Sequence, residues 1–284
     1  MTGGELAGAA AKAVENLAEH AAIERRAVKA ELLNAAKDSP ELADAARTYA
    51  KRLAVKQRIL LKLYEPLAKR VGVAQEYFEE EFAKDLSVKL AEVPDEDLVT
   101  PKPSVAAPAL HGLGLVFDDT SLKELYLNLL ATASNRRRNP GVHPSFAEVI
   151  RQLASDEAEL LASVLGTPLR TSIVRINLVN GGEPKGSSLL QNHVIPWEED
   201  GEAAVPAFGA TYVDNWVRLA LVRAEYNEWL VRAGAYDWVE TRPEVEMLKR
   251  SHEHGGNRVD WDRGYVVRTN FGEQFGRAVG VIQN

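Results

Sequence analysis

Apolar residues recur at helical spacing through much of the chain, and most regularly over residues 120–165. There Leu122, Leu125, Tyr126, Leu129 and Leu130 make one wide apolar face, which predicts an amphipathic helix. Ser121 and Glu124 have capping-box spacing at its start. Asn139-Pro140-Gly141 then breaks the chain after three consecutive arginines. A second helix is expected from His143-Pro144, since proline suits a first helical turn, with Phe146, Val149, Ile150 and Leu153 on its inner face. Ser155, followed by Asp156 and Glu157, is expected to cap a third helix, filled by Leu161, Val164 and Leu165 and ended by Gly166.

Upstream, residues 5–37 are rich in Ala, Glu, Lys and Leu without proline, which predicts helix. Asp38-Ser39-Pro40-Glu41 is a stop-and-restart signal. The next helix is expected from Pro40 to about Tyr64, on a stripe of Leu42, Ala46, Tyr49, Leu53, Leu60 and Leu63 that Lys56 interrupts. The short turn makes the two a helical hairpin. Two readings of the hairpin stay open, one docked on the rest of the chain and one serving self-association. Residues 47–70 carry Arg47, Lys51, Arg52, Lys56, Arg58, Lys62, Lys69 and Arg70 against Glu65 alone, and are read as a solvated or internally paired face. The acidic helix that follows offers Glu76, Glu79, Glu80, Glu81 and Asp85, with Val73, Tyr77, Phe78, Phe82 and Leu86 on its apolar face. Residues 93–109 hold four prolines and are expected to form an extended connector with short helical turns.

Beyond the three central helices the period changes. Residues 172–180 alternate Val174, Ile176 and Leu178 against Arg175 and Asn177, which predicts a half-buried strand. Residues 181–206 read as a long loop or a hairpin. Helix returns at Thr211 with Tyr212, Val213, Trp216 and Leu219 inward, and Leu221-Val222 lead into a strand. Arg242-Pro243-Glu244 opens a short helix ending near His252, residues 264–268 are β-rich, and Thr269 caps a last helix with Phe271, Phe275 and Val279. The expected fold is mostly α with a small β component, an α+β class. It comprises an N-terminal helical arm (1–70), a helix and Pro-rich connector (71–110), and a central helical core with a winged-helix-like C-terminal part (111–284). In a winged helix the Thr211 helix would be the reading helix, yet it exposes only Asp214, Asn215, Arg218 and Arg223.

LKELYLNLLATASN and HPSFAEVIRQLASDEAELL resemble the centre of the bacterial abortive-infection alpha family. AEVPDEDLVTPKPSVAAPAL upstream, and YVDNWVRLALV and VRTNFGEQF downstream, extend the resemblance from about residue 60 to the C-terminus. One departure is Ala220, where glycine is expected. The resemblance implies a role in antiphage defence and no established reaction. A winged-helix DNA-binding regulator and a toxin or nuclease are the alternatives.

Composition narrows the chemistry. The chain has 284 residues and no cysteine, so disulfides, thiolate metal sites and a cysteine nucleophile are excluded. No signal peptide or membrane-length apolar run is visible, which makes a cytoplasmic location the expectation. The net charge of −7 argues against generic nucleic-acid binding while leaving room for a local basic patch. Neither a phosphate-binding glycine loop nor a nucleophile elbow is present. His252-Glu253-His254, with Asp260 and Asp262 nearby, has residue types that bind metal, but an i, i+2 pair does not share a helix face; no metal and no cofactor is expected. His20, His111 and His193 have no motif around them. The candidate site is Asn135, Arg136, Arg137, Arg138 and His143, between two helix ends. These side chains complement a helix dipole and cap its successor, or they hold an anion such as a nucleic-acid phosphate. The partners considered are a second copy of the chain, bound through the N-terminal helices, and a phage or host protein.

Overall fold

The structure, a computed structural model, describes residues 40–71, 78–116, 118–167, 169–183, 185–199 and 202–282. The predicted helix over 5–37 lies outside these. The chain divides into two compact units, one ending at Leu98 and the other starting at Val99.

In the first unit, α1 (Pro40–Val71) packs on α2 (Ala83–Lys89), which follows directly on a π-turn (Phe78–Phe82). Leu60, Tyr64, Phe78, Phe82 and Leu86 are buried, with the Tyr64 ring edge-on to Phe82 at 5.2 Å. Lys56 does not interrupt this face but belongs to it. It is buried, donates to the Val93 carbonyl and pairs with Asp95 at 3.3 Å. Its long apolar stem fills the seam and its charge is met at the far end. Arg47, Lys51, Arg52, Arg58 and Lys62 are exposed, as a solvated face requires.

The second unit opens with α3 (Pro103–Leu115), helical where an extended connector was expected. Pro103 sits in the first turn, where no N–H is missed, and burial of Val105, Ala106, Ala109, Leu110 and Leu113 outweighs the break at Pro108. Gly112 lets the Tyr126 ring approach so closely that a Cβ there would lie 2.3 Å from it. Tyr126 belongs to α4 (Thr120–Ala133), and its buried hydroxyl donates to the Ala147 carbonyl; burial pushes its pKa up to about 12. Leu129 and Leu130 are fully buried, as the apolar face predicted.

The caps differ from expectation. Asp119, not Ser121, caps α4 by accepting from the Leu122 N–H at 3.0 Å, while Ser121 donates to Glu159 at 2.6 Å. Likewise Ser155 lies inside α6 (Ser155–Gly166) and donates to Asp119, and Glu157 closes the helix start by accepting from the Ala154 N–H. α5 is the shorter Phe146–Arg151, because Pro144 and Ser145 form a turn first.

The sheet is antiparallel in the order β2-β1-β6-β5. β1 (Thr171–Val179) and β6 (Arg258–Arg268) pair without interruption from Thr171↔Val266 to Val179↔Arg258. β6 thus extends well before the predicted 264–268. β2 (Ser187–Val194) and β5 (Val222–Glu225) are the edges. The 181–206 stretch is the hairpin alternative: it holds β2 and a small ribbon, β3 (Glu198–Glu199) with β4 (Glu202–Ala203). α7 (Gly209–Arg218) lies against β2 and β5, and α8 (Pro243–His252) against β6. Val174, Ile176, Val194, Tyr236, Val239 and Val245 belong to one core cluster. α9 (Asn270–Ala278), capped by Thr269 as expected, returns to α4 and α6. Among the described residues no helix is long and apolar enough to cross a membrane.

Candidate functional site

The five predicted site residues lie together in the turn from α4 to α5. Asn135, Arg138 and His143 bond to the protein itself. Asn135 accepts from the Arg137 N–H through its side chain at 3.0 Å. Arg138 donates to the Arg277 carbonyl near the end of α9 at 3.2 Å. His143 takes the N–H of Ser145 on Nδ1 within the turn ahead of α5, which has Ser145 as its N-cap residue and no side-chain cap bond, and its ring stands 6.0 Å from Phe271. Arg136, Arg137 and Arg138 are exposed.

A second constellation forms where no motif pointed. Between Val174↔Val194 and Ile176↔Gln191, β1 advances two residues while β2 advances three. The extra residue is a β-bulge, and within it His193 takes φ +53, a left-handed backbone uncommon for a non-glycine residue. The bulge aims the buried imidazole at α7 and β5. Its Nε2 lies 3.1 Å from Asp214 Oδ1 and its Nδ1 2.9 Å from the Tyr226 hydroxyl. A carboxylate can only accept, so the ring proton belongs on Nε2, and Nδ1 accepts from Tyr226. Burial lowers the His193 pKa, against the opposing pull of Asp214, and burial raises that of Tyr226. Arg175 covers the Tyr226 ring at 3.7 Å and donates to Asn192 at 3.2 Å, which fixes the other side of the bulge.

His193 also lines a solvent-open cavity of about 90 Å³ with Gln191, Trp197, Phe208, Thr211 and Glu244. Its floor rests on a buried ion pair. Arg242 meets Glu244 Oε1 at 2.7 Å and donates to the carbonyls of Trp197 and Ala204, on either side of the β3–β4 ribbon. Glu244 Oε2 is buried and has no hydrogen-bond partner among the described residues. The first turn of α7 forms another wall. Gly209 donates to Pro206 and Tyr212 to Phe208, while the N–H groups of Ala210 and Thr211 have no acceptor among the described residues. The cavity wall thus mixes the polar residues Gln191, His193 and Thr211 with the aromatic Trp197 and Phe208.

α7 is held firmly. Tyr212 donates to Asp156 at 2.6 Å, Asn215 donates to Glu157 and to the Gln152 carbonyl, and Arg218 donates to Gln152. Two of the polar side chains considered for DNA reading thus face the α5–α6 junction. In the His-Glu-His stretch, His252 and His254 bond the Leu248 and Ser251 carbonyls, and Glu253 accepts from Val259 at the start of β6. Asp260 pairs with Arg258, and Asp262 accepts from Asn177. No cluster of three metal-binding side chains occurs among the described residues.

Fold and site define an α+β protein with a small, polar-walled cavity between an edge strand and the start of a helix. The profile of the abortive infection alpha family matches residues 74–279, most of the chain, and the chain belongs to that family. Membership points to a function of the abortive-infection type. No curated protein and no solved structure matches.

Proposed function

We propose that the chain serves bacterial antiphage defence by abortive infection and acts by binding rather than by a catalysed reaction. Family membership over residues 74–279 is the observation that carries the reading. The cavity lined by polar and aromatic residues beside His193 is consistent with binding. Self-association through the N-terminal helices, and a phage or host protein as the target, belong to the same proposal.

The test is infection of bacteria expressing the chain, at low and at high phage-to-cell ratio. Abortive infection predicts a culture that survives the low ratio and collapses at the high one, with few phage released per infected cell. Survival at both ratios would mean another kind of defence, and no protection against a broad phage panel would remove the defensive role.

A further inference from the structure

We infer that the outer face of α1 binds the phosphate backbone of a nucleic acid without reading its sequence. This ligand differs from the protein target proposed above, and the two readings stand or fall separately.

Residues 45–64 of α1 carry six cations, Arg47, Lys51, Arg52, Lys56, Arg58 and Lys62, and neither Asp nor Glu. Lys56 is buried with Leu60 and Tyr64 and is met by Asp95. Arg47, Lys51, Arg58 and Lys62 follow one another at intervals of 4, 7 and 4 residues. At 3.6 residues per turn they fall within about 60° of one another, on the side of the helix away from Leu60. All four are exposed, and among the described residues none has a hydrogen-bond or ion-pair partner. Arg47 with Lys51, and Arg58 with Lys62, are like-charge pairs at i, i+4, which destabilise a helix left alone. An external polyanion removes that cost.

The make-up of the stripe selects among polyanions. A helix that lies on a membrane sets Trp, Phe or Leu beside its basic residues. A protein interface is anchored on side chains that bury in pockets. The large apolar side chains exposed on the described part of α1 are Tyr49 and Val55, and by helical spacing only Val55 borders the stripe. What remains is charge, and charge alone is how contacts to phosphates are made without regard to sequence. Length agrees. From Arg47 to Lys62 is 15 residues, about 22 Å at roughly 1.5 Å each, which spans about six or seven phosphates of one strand at a rise of roughly 3.4 Å. The chain as a whole carries −7, so the attraction is confined to this local face.

The experiment is fluorescence anisotropy of the full chain with labelled DNA of mixed sequence, about 20 nucleotides long, double- and single-stranded, between about 50 and 200 mM salt. Four phosphate contacts predict that duplex affinity falls about 150-fold over that range, and single-strand affinity about 50-fold. The tighter of the two identifies the form bound. Lys51→Gln/Arg58→Gln leaves two contacts, so its duplex affinity should fall only about 12-fold. Lys185→Gln/Arg232→Gln removes the same charge from exposed positions of the other unit and should keep the wild-type dependence. Because Lys51 and Arg58 have no partner among the described residues, their double variant should melt no lower than wild type. The inference is overturned if neither DNA binds at about 50 mM salt and 100 µM protein, if the α1 variant keeps the wild-type salt dependence, or if the control variant changes it as much. A lowered melting temperature of the α1 variant would place these cations in the protein's own packing and overturn it too. So would binding to phosphatidylserine vesicles or to polyglutamate in the absence of DNA binding, which would assign the stripe to a lipid surface or to an acidic protein.

Discussion

Ala220→Gly should stabilise the protein. Ala220 follows α7 with φ +57, and two bonds close the helix around it. Leu221 N–H donates to the Trp216 carbonyl at 2.9 Å, and Ala220 N–H to the Val217 carbonyl at 3.0 Å. This 6→1 and 5→2 pair is a Schellman motif, whose left-handed residue is usually glycine. A left-handed L-residue costs roughly 1–2 kcal/mol. Glycine removes that strain but loses about 0.5–1 kcal/mol more conformational entropy on folding. The Ala220 side chain is exposed, so little packing is forfeited. The net gain is about 0.5–1 kcal/mol, or a melting temperature raised by roughly 1–4 °C for a protein of this size. Chemical denaturation with an unchanged slope is the assay. Ala220→Val should lose stability, because a β-branched residue fits this region worse than alanine. Leu219→Gly, one residue earlier at φ −76, should lose stability too. A destabilised Ala220→Gly, or a neutral Ala220→Val, would refute the strain argument.

Leu129→Ala, at a fully buried site on α4, should cost about 2–5 kcal/mol in denaturation; a loss under about 0.5 kcal/mol would contradict the packing. Arg242→Ala should cost about 3–5 kcal/mol, since Glu244 would stay buried with its partner gone. Hydrogen exchange should show the β3–β4 ribbon loosening with it. The pH dependence has a fixed sign. Burial lowers the folded-state pKa of His193 below the ordinary 6.5, so the unfolded chain binds more protons between the two values. Stability should therefore fall as pH drops through 6.5 toward the lowered value, then level off. His193→Gln should lack this step and keep the separate loss below 4.5, where Glu148 and Glu273 release Arg151 and Arg277.

The helices of 120–165 were legible because burial there follows one period, with Leu125, Leu129 and Leu130 all inward. Their caps were not, because Ser121 and Ser155 spend their hydroxyls on Glu159 and Asp119, 38 and 36 residues away. Local spacing cannot show such a competition. The Pro-rich helix was hidden by its own composition: proline argues against helix residue by residue, while the burial that overrides it is tertiary. Lys56 interrupts the apolar stripe in the sequence because the groups that satisfy it, at Val93 and Asp95, come from beyond the next helix. The cavity was illegible for a stronger reason. His193 acquires its role from a register slip between β1 and β2, and its partners Asp214 and Tyr226 follow 21 and 33 residues later. Nothing in QNHV marks a bulge, since the left-handed position holds histidine where a glycine would have been a signal. By contrast, Ala220 was legible as an oddity through resemblance alone, and the backbone gives it a physical meaning.

His193 and Ala220 are the two non-glycine residues with positive φ among those described, and they should respond to glycine in opposite ways. Ala220 gives up only backbone entropy when glycine relieves its strain. His193 has the same kind of strain and a buried ring engaged at both nitrogens. His193→Gly relieves roughly 1–2 kcal/mol of backbone cost. It also forfeits two hydrogen bonds, about 0.5–1.5 kcal/mol each, leaves the Tyr226 hydroxyl without its acceptor, and opens a void where the ring packed. The losses exceed the gain, so the variant should be less stable by about 1–3 kcal/mol. His193→Asn should lose less, since asparagine tolerates the left-handed region and keeps one polar arm near α7. Equilibrium denaturation of the three variants side by side reads the order Ala220→Gly above wild type, then His193→Asn, then His193→Gly. A His193→Gly protein as stable as wild type would mean the ring contributes nothing in return for its strained backbone, and the bulge would then be an accident of the edge strand rather than the device that aims His193 at α7.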